Sequence, residues 1–171
     1  MRNIFEIYDF RFLVTLGLTY FNQGFKIFTR LAVMDLFRNH LHLEPSYTQY
    51  LGSIITLPWT FKLLYGLIAD NIPIGGSRRK RYVVLSGFGQ FLSLIVLSFG
   101  VLDNAGAITG LLFINSLFIA MTDVVIDAIM VAQSRRDPIH GSENLQSYSW
   151  IMLSIGGIFG SIMAGYFTEN L

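Results

Sequence analysis

The sequence predicts an all-α membrane protein of five spanning helices, and three observations carry that prediction. Apolar runs of about 20 residues or more recur along the 171-residue chain, the length a helix needs to cross a hydrocarbon core about 30 Å thick. Charge is scarce: hydrophobic residues make up 53% and charged residues 13%, about half the charged share of a soluble domain, with a mean hydropathy of +0.53. The basic residues gather in alternate connections, as they do in membrane proteins.

The first run, 12–37, is interrupted by Lys26, Arg30 and Asp35. The second, 47–69, carries Lys62. The third, 82–102, has no charge, and the fourth, 105–132, has Asp123 and Asp127 in its later half. The fifth, 145–167, is again uncharged. Connections are short and rich in turn formers, such as Pro73, Gly75 and Gly76, so the chain reads as a single transmembrane domain over 1–171. Glu6 and Asp9 precede a first run too long and too polar for a cleaved leader.

Loop charge sets the expected orientation. Arg2, Arg11, Arg78, Arg79, Lys80, Arg81, Arg135 and Arg136 fall on one side of the predicted topology and only Arg38 on the other, which places the N-terminus in the cytoplasm. Residues 78–81 read in isolation as a nucleic-acid patch, but between two spans they act as a topological anchor. With a net charge of +1, no nucleic-acid partner is expected. There is no cysteine, and His40, His42 and His140 lie in polar loops. His40 and His42 form either a metal clip or an ordinary loop pair, and the second reading is taken, so no metal and no cofactor is expected.

Charged groups at helix centres cost about 2.5–3.5 kcal/mol each on insertion scales and mark partners or pathways. At 100° per residue, Thr15, Thr19, Asn22, Gln23, Lys26 and Arg30 fall within an arc of about 100° on the first span, with Thr29 beside it. For the threonines, interhelical packing explains the stripe. Lys26 and Arg30 repel each other on adjacent turns, which favours a water-filled cavity. Asp123 and Asp127, four apart, share a helix face. Counting 1.5 Å per residue from the cytoplasmic end puts Lys26 at about 21 Å, Asp123 at about 13 Å, Lys62 at about 10 Å and Asp127 at about 7 Å. Lys62 and the aspartates form either a structural ion pair or a proton-coupling group. In the fifth span, Gly156 and Gly160, then Ser161 and Gly165, are spaced for close helix packing. No nucleophile, base and orienting group converge, so an enzyme is not expected.

Several stretches carry a resemblance. Gly66-Leu67-Ile68-Ala69-Asp70, followed by Gly75-Gly76-Ser77-Arg78-Arg79-Lys80-Arg81, resembles the glycine–aspartate–basic loop between helices two and three of the major facilitator superfamily. Asn71 to Ile74 are extra to the usual spacing. Pro58-Trp59-x-x-Lys62-x-x-Tyr65-Gly66-x-x-x-Asp70 is similar to the folate–biopterin transporter family within that superfamily, although Leu63 stands where the family usually has proline. Tyr20-Phe21-Asn22-Gln23-Gly24, Asp123-Val124-Val125-Ile126-Asp127-Ala128 and Gly141-Ser142 with Leu145-Gln146-Ser147 resemble its first, fourth and fifth helices.

The resemblance implies a twelve-helix fold in two halves of six, moving folates or pterins by alternating access. The chain is then an incomplete N-terminal half whose partners are the lipid bilayer, a small-molecule substrate and the remaining helices. It implies a conformational-switch loop of Gly66, Asp70, Gly76, Arg78 and Arg79. A folate's anionic tail needs a cation and a pterin's N–H edge a carboxylate. Asn22, Gln23, Lys26, Arg30 and Asp123 are therefore the expected substrate-binding residues, with Lys62, Asp123 and Asp127 in an ion pair or in proton coupling. The alternatives are a facilitator of an unrelated solute, or a non-transporting membrane subunit that keeps the fold.

Overall fold

The computed structural model describes residues 4–76, 79–100 and 104–170, and through them the chain is helical. A short turn, α1 (Ile4–Ile7), precedes α2 (Phe10–Asp35). Asp9 caps α2 in an extended conformation, its carboxylate accepting from the Arg11 backbone N–H at 3.0 Å. That satisfies one of the amides a helix start leaves unpaired. The end of α2 passes into a π-helical turn, Leu36–His40.

The second span is not one uniform helix. α3 (Pro45–Thr56) begins with proline in its first turn, where the missing N–H costs nothing. A 3-10 turn follows over Leu57–Phe61, and α4 (Lys62–Asn71) completes the span. Pro58 causes the break: it supplies no amide, and the Ile54 carbonyl is taken instead by the Leu57 N–H. α5 (Lys80–Ser98), α6 (Ala105–Ser134) and α7 (Gly141–Asn170) follow.

Among the described residues, four segments are long and apolar enough to cross a bilayer: Pro45–Asn71, Lys80–Ser98, Ala105–Ser134 and Gly141–Thr168. α2 has the length, 26 residues, but its charged and amide side chains lower its hydropathy. The protein is an all-α membrane protein.

The helices form two compact units: Met1–Leu36 with Ala128–Leu171, and Phe37–Asp127. In the first, α2 lies along α7 with backbones in contact. A methyl group added at Gly24 would stand 1.9 Å from the Leu153 carbonyl oxygen, and one at Gly156 would stand 2.1 Å from that of Phe21. At Gly160 the Phe25 carbonyl oxygen would be 2.9 Å away. Tyr148 donates to the Leu13 carbonyl at 3.1 Å. In the second unit, Gly89 of α5 faces the Phe118 ring of α6, and Gly66 of α4 approaches Val124, whose Cγ1 would lie 3.3 Å from an added methyl group.

Candidate functional site

The strongest polar constellation lies in the second unit, where α4 begins. The 3-10 turn delivers Lys62 as the first residue of α4, and its ammonium is ion-paired with the Asp123 carboxylate of α6. Asp123 is buried, its side chain 6% exposed, while that of Lys62 is 37% exposed. The same ammonium stands 4.3 Å from the centre of the Trp59 ring, a cation–π contact from the turn just before it. The pair is asymmetric: a dry carboxylate is neutralised by a lysine that still reaches the surface. Removing the lysine would take the ion-pair partner away from a buried carboxylate.

Lys62 also lines an open cavity of about 450 Å³, together with Leu63, Gly66, Leu67, Asp70, Val124 and Asp127. Gly66 keeps α4 close to α6 here. Asp127, one turn beyond Asp123, also lines this cavity, so Lys62 pairs with one carboxylate and shares the cavity wall with the other. The walls are mostly aliphatic, and the charges stand on them as isolated polar points.

At the far end of α4, Asp70 is held by Arg79, whose Nε and Nη2 both donate to Oδ1, at 3.0 and 2.9 Å. The connection between α4 and α5 turns through Gly75 (φ 51°) and Gly76 (φ 87°), where side chains are strained. The Arg81 guanidinium occupies the space a Gly75 side chain would need. Tyr82 of α5 donates to the Ile72 carbonyl at 2.8 Å, which ties the start of α5 to the end of α4. Arg78 lies outside the described residues.

The third span, blank by charge, holds a polar group that charge counting misses. Gln90 donates through Nε2 to the Thr122 hydroxyl at 2.9 Å, and Asn115 donates to the Gln90 carbonyl at 3.2 Å. Asn115 and Thr122 are buried. The readable signal was an amide inside an apolar run; such groups need partners in a membrane.

In the first unit, the buried face of α2 includes Leu13, Leu16, Gly17 and Gly24. At 100° per residue the stripe of Thr15, Thr19, Asn22, Gln23, Lys26 and Arg30 centres about 130° from that face, with Gln23 at its edge. Asn22 and Arg30 are exposed, and Gln23 and Lys26 are half-buried. Thr15 and Thr19 turn back onto their own helix, donating to the Arg11 and Thr15 carbonyls at 2.8 Å each, rather than bridging helices. Among the described residues no three His, Asp or Glu side chains gather as metal ligands.

The profile of the BT1 family matches residues 23–171. Over 173 aligned residues the chain is 35% identical to "Probable folate-biopterin transporter 4" of Arabidopsis thaliana, covering 100% of this chain and 35% of that protein. It is 33% identical to "Folate-biopterin transporter" of Synechocystis sp., covering 88% of this chain and 30% of that protein. It is 31% identical to "Folate transporter 1" of Plasmodium falciparum, covering 84% of this chain and 28% of that protein. The chain thus spans about a third of the length of the curated relatives it matches. No solved structure matches it significantly. A profile match that takes in the polar stripe of α2 from Gln23 on, the Lys62–Asp123 pair and the glycine-packed α7 settles the matter of kinship: the chain belongs to the BT1 family.

Proposed function

We propose that the protein is a secondary transporter of folates or pterins that works by alternating access and is proton-coupled. The observation that carries the reading is the likeness over the whole chain to relatives named as folate or folate-biopterin transporters. The stripe of α2 supports it, because a helix packed on one side through glycines and polar on the other suits a wet pathway.

In this reading Asn22, Gln23, Lys26, Arg30 and Asp123 bind substrate. The cations take the glutamate tail of a folate, and the carboxylate accepts the two parallel N–H groups of a pterin. In the alternative use of the same group, Asp123 instead takes up the coupling proton together with Asp127, with Lys62 as the counter-charge, and no longer accepts from substrate. Gly66, Asp70, Gly76, Arg78 and Arg79 form the switch loop. The N-terminus is cytoplasmic, and the remaining helices of a twelve-helix major-facilitator fold complete the site.

The test is uptake of labelled folic acid and of biopterin by vesicles holding the full-length protein, with and without an inward proton gradient. Saturable uptake of either, accelerated by the gradient, is the expected result. No uptake of either class would replace the reading with a facilitator of another solute. Reversing Lys62 and Asp123 together separates their roles: restored folding with lost uptake is expected, and full recovery of uptake would reduce the pair to a structural one. Labelling of the loops at 70–81 and 133–144 from the same face tests the topology.

A further inference from the structure

Tyr8 stands at the corner between α1 and α2. Its side chain is 3% exposed, and its ring lies 6.3 Å from that of Phe12. Among the described residues its hydroxyl is the one buried side-chain polar atom without a hydrogen-bond partner. That oxygen points at the turn between α6 and α7. A methyl group added at Gly141 would stand 2.7 Å from it and 2.3 Å from the Ser134 carbonyl oxygen. The turn is otherwise well ordered by hydrogen bonds: Asp137 accepts from the Ile139 and His140 amides at 3.3 and 3.2 Å, and the Gly141 amide donates to the Asp137 carbonyl at 2.9 Å. Burial and, to a lesser degree, the Asp137 charge push the Tyr8 hydroxyl above its usual pKa. It therefore remains a donor, with nothing to donate to.

We propose that the α1–α2 corner is a latch on the α6–α7 turn, closed by the Tyr8 ring and biased toward opening by the Tyr8 hydroxyl. The two ends of one side chain pull in opposite directions. Withdrawing the ring from water favours docking, while stripping the hydroxyl of hydration without a replacement bond disfavours it. Opening the corner returns the hydroxyl to water. Gly141 is the seat of the latch, because any side chain there meets both the Ser134 backbone and the tyrosine oxygen. A contact so balanced responds to small pushes on the α6–α7 turn, and passes movement of that turn to the N-terminal segment.

The proposal makes a prediction of unusual sign: deleting a polar atom tightens the contact. Hydrogen–deuterium exchange is followed on the full-length protein in lipid nanodiscs, reading the peptide 4–13, whose protected amides include Tyr8 on Ile4 and Leu13 on Asp9. Tyr8→Phe slows exchange of this peptide about five-fold or more. Unchanged or faster exchange overturns the proposal, since the hydroxyl would then have a partner, water included. Gly141→Ala speeds exchange of the same peptide about ten-fold, and unchanged exchange there also overturns it. Should that variant fail to fold, Tyr8→Ala removes the ring while leaving the turn intact. The same acceleration is expected, and its absence defeats the latch.

Discussion

In the unit formed by α2 and α7, helix backbones touch; in the unit of α4, α5 and the first part of α6, side chains reach across. At Gly24 and Gly156 the nearest obstacle to a methyl group is a carbonyl of the facing helix, which cannot swing aside. At Gly89 of the other unit the obstacle is the Phe118 ring, which can turn. There the helices are joined by Lys62 to Asp123 and by Gln90 to Thr122. Backbone contact tolerates no change of spacing, whereas side-chain bonds lengthen, swap partners or take up protons. The first unit is built to stay together, and the second has the means to rearrange.

The contrast predicts a graded series of effects, and the sharpest is in the rigid unit. Gly24→Ala or Gly156→Ala should cost about 3 kcal/mol or more, the upper end for overpacking, because two backbones must part. Thermal unfolding of the full-length protein in detergent measures it; a loss below about 1 kcal/mol would show that the helices slide freely. Lys62→Met should cost about 2–3 kcal/mol, less than a fully buried broken pair because Lys62 is partly exposed. Adding Asp123→Leu should recover most of that stability, which a double-mutant cycle reads directly. Gln90→Leu should cost about 1 kcal/mol, near the average for a polar contact between membrane helices. Thr122 keeps its bond to the Phe118 carbonyl at 2.9 Å in that variant. The smallest stability effect is that of Asp70→Asn, below about 1 kcal/mol for an exposed pair. Its mark should appear in turnover: uptake slows several-fold while the melting temperature holds.

Four of the five expected spans were legible because an apolar run of sufficient length has little choice but to be a helix. Close packing by α7 was legible too, since Gly156 and Gly160 fall on one face. The partner was not, because Gly24 sits beside Asn22 and Gln23 and reads as part of a polar segment. The break at Pro58 was missed, since hydropathy averages over it. Depth counting left Lys26, Lys62 and both aspartates as possible partners, and only side-chain geometry joins Lys62 to Asp123. Gln90 escaped because one amide barely changes the hydropathy of its span. Tyr8 escaped because it precedes the first span, where no periodicity draws attention to it.

The ion pair also sets a schedule for synthesis. Lys62 and Asp123 are 61 residues apart, so the ribosome delivers the lysine well before its carboxylate exists. The segment Pro45–Asn71 then enters the bilayer with its ammonium not yet paired to Asp123, a burden below the cost of about 2.5–3.5 kcal/mol at a helix centre because Lys62 lies nearer one end of the span. Its 27 residues are apolar enough for that, and Trp59 offers its ring face to the waiting cation. The helix bearing Asp123 then arrives to find a counter-ion already in place. Reversing the two charges keeps their sum and their distance yet sends the anion in first, without the aromatic face that shelters a cation. The yield of inserted protein, and not only its stability, depends on which partner is made first.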